Sequence, residues 1–113
     1  MVYNLTYDNW WEAKIQIDET EEAQKWVKES VEFFSNWENN VEDNDGDYNK
    51  AFLRNLFPHL IEESINNSLQ GVIWKITDNY EGFPNLDGTD GITLLEIDSF
   101  SFDRDDLDIE ISK

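Results

Sequence analysis

A chain of 113 residues, 39% hydrophobic and 14% aromatic, carries enough apolar material for one core and too little length for two. Its formal net charge of −18, from 26 acidic and 8 basic residues, sets it against nucleic acid and anionic lipid and directs it towards basic partners. With no cysteine, disulfides, thiolate nucleophiles and cysteine-held zinc or iron–sulfur centres are excluded.

Residues 2–7 and 11–18 read as two strands about a turn at Asp8-Asn9. In the second, Trp11, Ala13, Ile15 and Ile17 alternate with Glu12, Lys14, Gln16 and Asp18, which gives one buried and one wet face. Trp10 has the opposite parity from Trp11 and is expected to point away from the core. Asp18 or Thr20 can cap a long helix, Asp18 forming a capping box with Glu21. Ala23, Trp26, Val27, Ser30, Phe34, Trp37 and Val41 share its apolar face, flanked by Val31 and Phe33, and the helix is expected to end near Asn40. The polar face offers Glu21–Lys25, Lys25–Glu29 and Lys28–Glu32 pairs, each contributing about 0.2–0.5 kcal/mol.

The polar run 42–47 marks a turn, after which Ala51, Phe52, Leu56, Leu60, Ile61 and Ile65 recur at helical spacing. Pro58 lies inside that pattern and predicts a kink or a division into two. Ser68 then caps a further helix through Val72, Ile73 and Ile76. Gly82, Pro84, Gly88 and Gly91 punctuate a loop over 79–91. A strand over 92–98 follows, and Phe100 and Phe102 lie in a continuation or bulge. Leu107, Ile109 and Ile111 alternate with Asp108, Glu110 and Ser112 as a last strand. The ββ-α-α(-α)-ββ order predicts a single α+β domain over 1–113: an antiparallel sheet of about four strands with two or three helices on one face.

Charge is unevenly spread. Residues 1–41 carry net −6, 42–47 net −4, 48–77 net +1 and 78–110 net −10. The first nine residues lack the basic start and apolar run of a signal peptide, and no stretch of about 18 apolar residues occurs, so a soluble, cytoplasmic protein is expected.

Two stretches carry a resemblance: Phe33-Phe34-Ser35-Asn36-Trp37-Glu38, and Glu81-Gly82-Phe83-Pro84-Asn85-Leu86-Asp87-Gly88-Thr89-Asp90-Gly91-Ile92. Both resemble a family of bacterial and prophage proteins, domain of unknown function 2528. The resemblance implies a phage or mobile-element context and brings no activity or active residue with it.

The candidate chemistries lack parts. Asp43-x-Asp45-x-Asp47 opens like a calcium loop, but the sixth and twelfth positions, Gly and Glu in an EF-hand, are Tyr48 and Arg54. Asp87-Gly88-Thr89-Asp90-Gly91 has the wrong order and no second copy for an aspartic protease, so Thr89 and Asp90 are read as a tight turn. His59 is the one histidine and sits in an apolar helical stretch, so no triad can be assembled around it. The glycines form no phosphate-cradling loop. No catalytic residue, metal site or cofactor is therefore assigned.

Trp11, Trp26, Trp37 and Trp74 sit on apolar faces and are read as core. Trp10, Tyr48, Tyr80 and Phe83 do not, although Tyr80 and Phe83 can pin their own loop. The sequence thus points to a non-enzymatic acidic binding protein, an inhibitor, decoy or DNA mimic acting on a basic nucleic-acid-processing protein. Its candidate contacts are Trp10, Glu42, Asp43, Asp45, Asp47, Tyr80, Phe83, Asp87, Asp90, Asp103, Asp105, Asp106, Asp108 and Glu110. An immunity protein neutralising a basic toxin has the same surface; a metal-binding or enzymatic domain using acidic residues is the remaining alternative. Direct nucleic-acid and membrane partners are not expected.

Overall fold

A computed structural model describes residues 1–112. Strand β1 (Val2–Tyr7) and strand β2 (Trp11–Ile17) form an antiparallel hairpin. Helices α1 (Glu21–Phe33), α2 (Trp37–Asp43), α3 (Tyr48–Ser64) and α4 (Leu69–Asn79) follow, and strand β3 (Ile92–Ile97) closes the sheet. The order β1-β2-β3 puts β2 in the centre, antiparallel to both neighbours.

The alternation in β2 is realised: Trp11, Ala13, Ile15 and Ile17 are buried. They meet Val27 and Val31 of α1, Phe52, Leu56 and Leu60 of α3, and Val72 and Ile76 of α4. On the other face of the sheet, Lys14 lies 3.8 Å from Glu96. The register between β2 and β3 slips at Lys14/Ile15, leaving Leu95 as the extra residue of a bulge. Burial alternation in β3 stops there.

Several expectations are corrected. The long first helix is two. Phe34 takes extended backbone and Asn36 a left-handed one (φ 62°), a conformation that asparagine tolerates. Past the break, Phe34 packs on Phe83, ring centroids 5.3 Å apart. Thr20 is the cap, accepting from the Ala23 N–H at 3.2 Å, while the Asp18 carboxylate takes the Gln16 side chain instead. Of the three helical ion pairs only Lys25–Glu29 forms among the described residues, at 3.9 Å. Pro58 does not divide α3, which runs through it. Ser68 does cap α4, accepting from the Gly71 N–H.

Trp74, read as core, is 61% exposed with Lys75 over its ring, and Trp26 also lies at the surface. Among the described residues the sheet has three strands and the α-helices number four. Residues 107–111 form no strand, because their backbone pairs with neither open edge of the sheet. A period of two describes how a strand would bury its side chains, and forming one also requires a neighbour to take its N–H and C=O groups.

Candidate functional site

The site grows from the hairpin turn. Asp8 (φ 55°) and Asn9 (φ 64°) both adopt left-handed backbone, and the Trp10 N–H donates to the Tyr7 carbonyl at 3.3 Å. This turn sends Trp10 and Trp11 in opposite directions. Trp11 is buried and its indole N–H donates to the Asp98 carbonyl at 2.9 Å. Trp10, as its parity predicts, remains 43% exposed.

Asp98 fastens the chain leaving β3 to the same end of β2. Its N–H donates to the Glu12 carbonyl at 2.9 Å, and its Oδ2 accepts from the Glu12 N–H at 3.0 Å. Two residues on, the Phe100 N–H donates to Ser64 Oγ at 3.2 Å and its ring stacks on Trp10, centroids 5.5 Å apart. Phe102 meets Phe100 edge-on at 5.1 Å. Together they border an open cleft of about 1070 Å³, lined by Trp10, Phe100 and Phe102 and by Asp8, Asp103 and Asp106, with Arg104 the one cation among the described residues.

Beyond Phe100 every described residue from Ser101 to Ser112 is exposed. The Asp103 side chain accepts from the Asp105 N–H at 2.9 Å and caps a single 3-10 turn, Arg104–Asp106. Leu107, Ile109 and Ile111 then stand 66%, 81% and 90% exposed, alternating with Asp106, Asp108 and Glu110. Isolated apolar residues on a surface need no explanation, whereas a row beside an aromatic cleft rimmed with charge has the composition of a contact surface.

The other candidate residues divide by role. The expected turn over 42–47 is shorter, because Glu42 and Asp43 are the last residues of α2; both are exposed, as is Asp45 in the turn that follows, and Asp47 caps α3 by accepting from the Lys50 N–H at 3.2 Å. Asp87 accepts from both the N–H and the hydroxyl of Thr89, which hold its carboxyl below the usual carboxylate range. Asp90 is buried and accepts from the Asn85 N–H at 2.8 Å, so it is unavailable to a partner. Phe83 packs on Phe34 and Phe52, and Tyr80 lies 4.4 Å from the His59 ring. Both pin the loop. Burial first, then the carboxylates of Glu63 and Glu62, raise the Tyr80 hydroxyl above its ordinary pKa. Of the sequence-derived set, Trp10, Asp103 and Asp106 share the cleft and Asp105, Asp108 and Glu110 continue from it. Glu42, Asp43, Asp45, Asp47, Tyr80, Phe83, Asp87 and Asp90 do not line it. Asp8, Phe100 and Phe102 were missed; the aromatic pair at i and i+2 beside the acids was the available signal.

His59 Nδ1 is buried without a hydrogen-bond partner, and its ring is enclosed by Tyr80 and Phe83. Among the described residues no group of three or more His, Asp or Glu side chains converges on a point that could hold a metal ion. Among the described residues no helix is long and apolar enough to cross a membrane.

The two stretches singled out in the sequence meet in space. Ser30 Oγ donates to the Gly82 carbonyl, and a Cβ on Gly82 would sit 2.4 Å from the Phe33 ring. The Phe34–Phe83 contact completes the joint. These residues hold α1 against the loop and lie outside the cleft.

No curated protein and no solved structure matches the chain. Residues 12–109, a span that includes β2 except Trp11, helices α1 to α4, β3 and most of the exposed segment, match the family model described as protein of unknown function (DUF2528), and the chain belongs to that family.

Proposed function

We propose that this is a non-enzymatic acidic binding protein, and that the Trp10–Phe100–Phe102 cleft with the segment 101–112 is its contact surface for a basic partner protein. The observation that carries the reading is the conjunction of exposed aromatic and aliphatic side chains with carboxylates along one continuous stretch. Trp10, Phe102, Leu107 and Ile109 would supply the desolvated contacts that hold a complex. Asp103, Asp105, Asp106, Asp108 and Glu110 would steer the encounter and reject acidic competitors. In its finer form, the partner is a nucleic-acid-processing host protein whose basic groove the acidic segment occupies as a decoy. A phage or mobile-element inhibitor would act in this way.

The test is capture from host lysate at low salt, followed by titration of the retained protein with salt and with variants. The reading predicts affinity that falls steeply with ionic strength and is lost with Trp10→Ala. Affinity flat from low to high salt, or unchanged by Trp10→Ala together with Ile109→Ser, would refute it.

A further inference from the structure

We propose that the groove between the free edge of β1 and helix α3 docks an extended acidic peptide segment of another protein. The proposal is independent of the cleft and the 101–112 segment. Among the described residues strand β1 pairs only with β2, which leaves its other side an open edge. Met1 and Ile17 exchange both backbone bonds at 3.0 Å, and alternation along the ladder then turns the N–H and C=O groups of Asn4 and Thr6 outwards. An edge of this kind accepts a further strand through main-chain bonds alone.

Beneath the edge lies a groove of about 330 Å³ in which Leu53 and Phe57 of α3 supply apolar floor. Lys50 and Arg54, one turn apart on the same face of α3, line it as well. In a chain with 26 acidic residues, the two ion pairs among the described residues are Lys14–Glu96 and Lys25–Glu29. Neither groove cation takes part in one.

Arg54 is also held in position. Its Nε donates to Asn44 Oδ1 at 2.7 Å, and Asn44, itself buried, donates to the carbonyl of Asn40 at 2.7 Å and to its side chain at 3.0 Å. Asn40 is fixed in turn by the Ala51 carbonyl and Asn55 Oδ1. This chain of amides orients an exposed guanidinium and satisfies only its Nε, leaving the two terminal amino groups for a ligand. A planar fork of this kind matches a carboxylate. The occupant that fits places acidic side chains towards α3, their methylenes over Leu53 and Phe57 and their carboxylates on Lys50 and Arg54.

Fluorescence anisotropy with the labelled heptapeptide Val-Glu-Val-Glu-Val-Glu-Val and its Gln-for-Glu counterpart tests this. Salt near 0.15 M confines electrostatics to about 8 Å, so the remaining carboxylates of the chain contribute little. The Glu peptide should bind at least about tenfold tighter than the Gln peptide, the difference expected of charge-assisted contacts. Arg54→Gln, or Lys50→Gln as the second variant, should abolish most of that preference with the circular dichroism spectrum unchanged. Asn44→Ala, which keeps the guanidinium but frees it, should reduce the preference by less. Thr6→Pro, which removes one outward N–H, should weaken both peptides alike. Equal binding of the two peptides, or a preference that survives Arg54→Gln, overturns the proposal. So does a dimer in sedimentation that Arg54→Gln dissolves, since a second copy would then fill the groove.

Discussion

Residues 85–92 and residues 101–112 flank β3 and draw on the same acidic, apolar and small polar residues, yet they are held in opposite ways. In the first, carboxylates and backbone groups are tied to one another within the chain. Asn85 N–H reaches Asp90, Thr89 closes on Asp87, Gly88 N–H bonds the Ile92 carbonyl, and Leu94 N–H bonds the Leu86 carbonyl. Leu86 is fully buried at its centre. In the second, the hydrogen bonds are those of one 3-10 turn, and four apolar side chains face water. The difference teaches that a carboxylate's role is set by the N–H groups within its reach. Where the backbone turns tightly, it ties down a loop; where the chain is extended and unpaired, it remains free to meet something else.

The sharpest break of the first region is at Gly91. Its φ of 86° is strained for any L side chain, and a Cβ there would lie 2.6 Å from the Ala23 Cβ. Gly91→Ala should cost about 2–4 kcal/mol in urea unfolding, combining backbone strain with overpacking. Next comes Asp90→Ala, which leaves the Asn85 N–H without its acceptor and should cost about 1–3 kcal/mol by the same measurement.

Asp87 sharpens the comparison through pH. Donation by the Thr89 hydroxyl and then the Thr89 N–H lowers its folded pKa below the reference value of 3.8. On acidification the unfolded chain binds that proton first, so the contribution is complete above the unfolded value and lost as pH falls through the folded one. Asp87→Asn should flatten this part of the acid limb below pH 3.8, read from denaturant midpoints against pH. The smallest effect belongs to the second region: Ile109→Ser with Ile111→Ser should change stability by no more than about 0.5 kcal/mol, because both side chains are already in water.

Those contrasts also mark what sequence reasoning could reach. The hairpin, the buried parity of Trp11 to Ile17, the exposure of Trp10 and the Ser68 cap all rest on local patterns, and all are present. The break at Phe34 was not legible, because the contacts there, Phe34 on Phe83 and Ser30 on the Gly82 carbonyl, come from some fifty positions away in the chain. Asp90 read as a surface acid because nothing nearby in sequence announces the Asn85 N–H bent back towards it. Leu107 to Ile111 carry a strand's alternation without a strand's neighbour. The contact surface was half legible: Trp10 and the acids stood out, while Phe100 and Phe102 acquired meaning only when stacked on Trp10.

Hydrogen exchange of the intact chain, alone and with a basic protein retained at low salt, bears most directly on the proposed contact surface. Outside the 3-10 turn, amides of 101–112 should exchange at free-chain rates alone and gain protection in the complex, with the gain fading as salt rises. Protection that appears instead at the acidic residues 42–47, while 101–112 continues to exchange freely, would contradict the account.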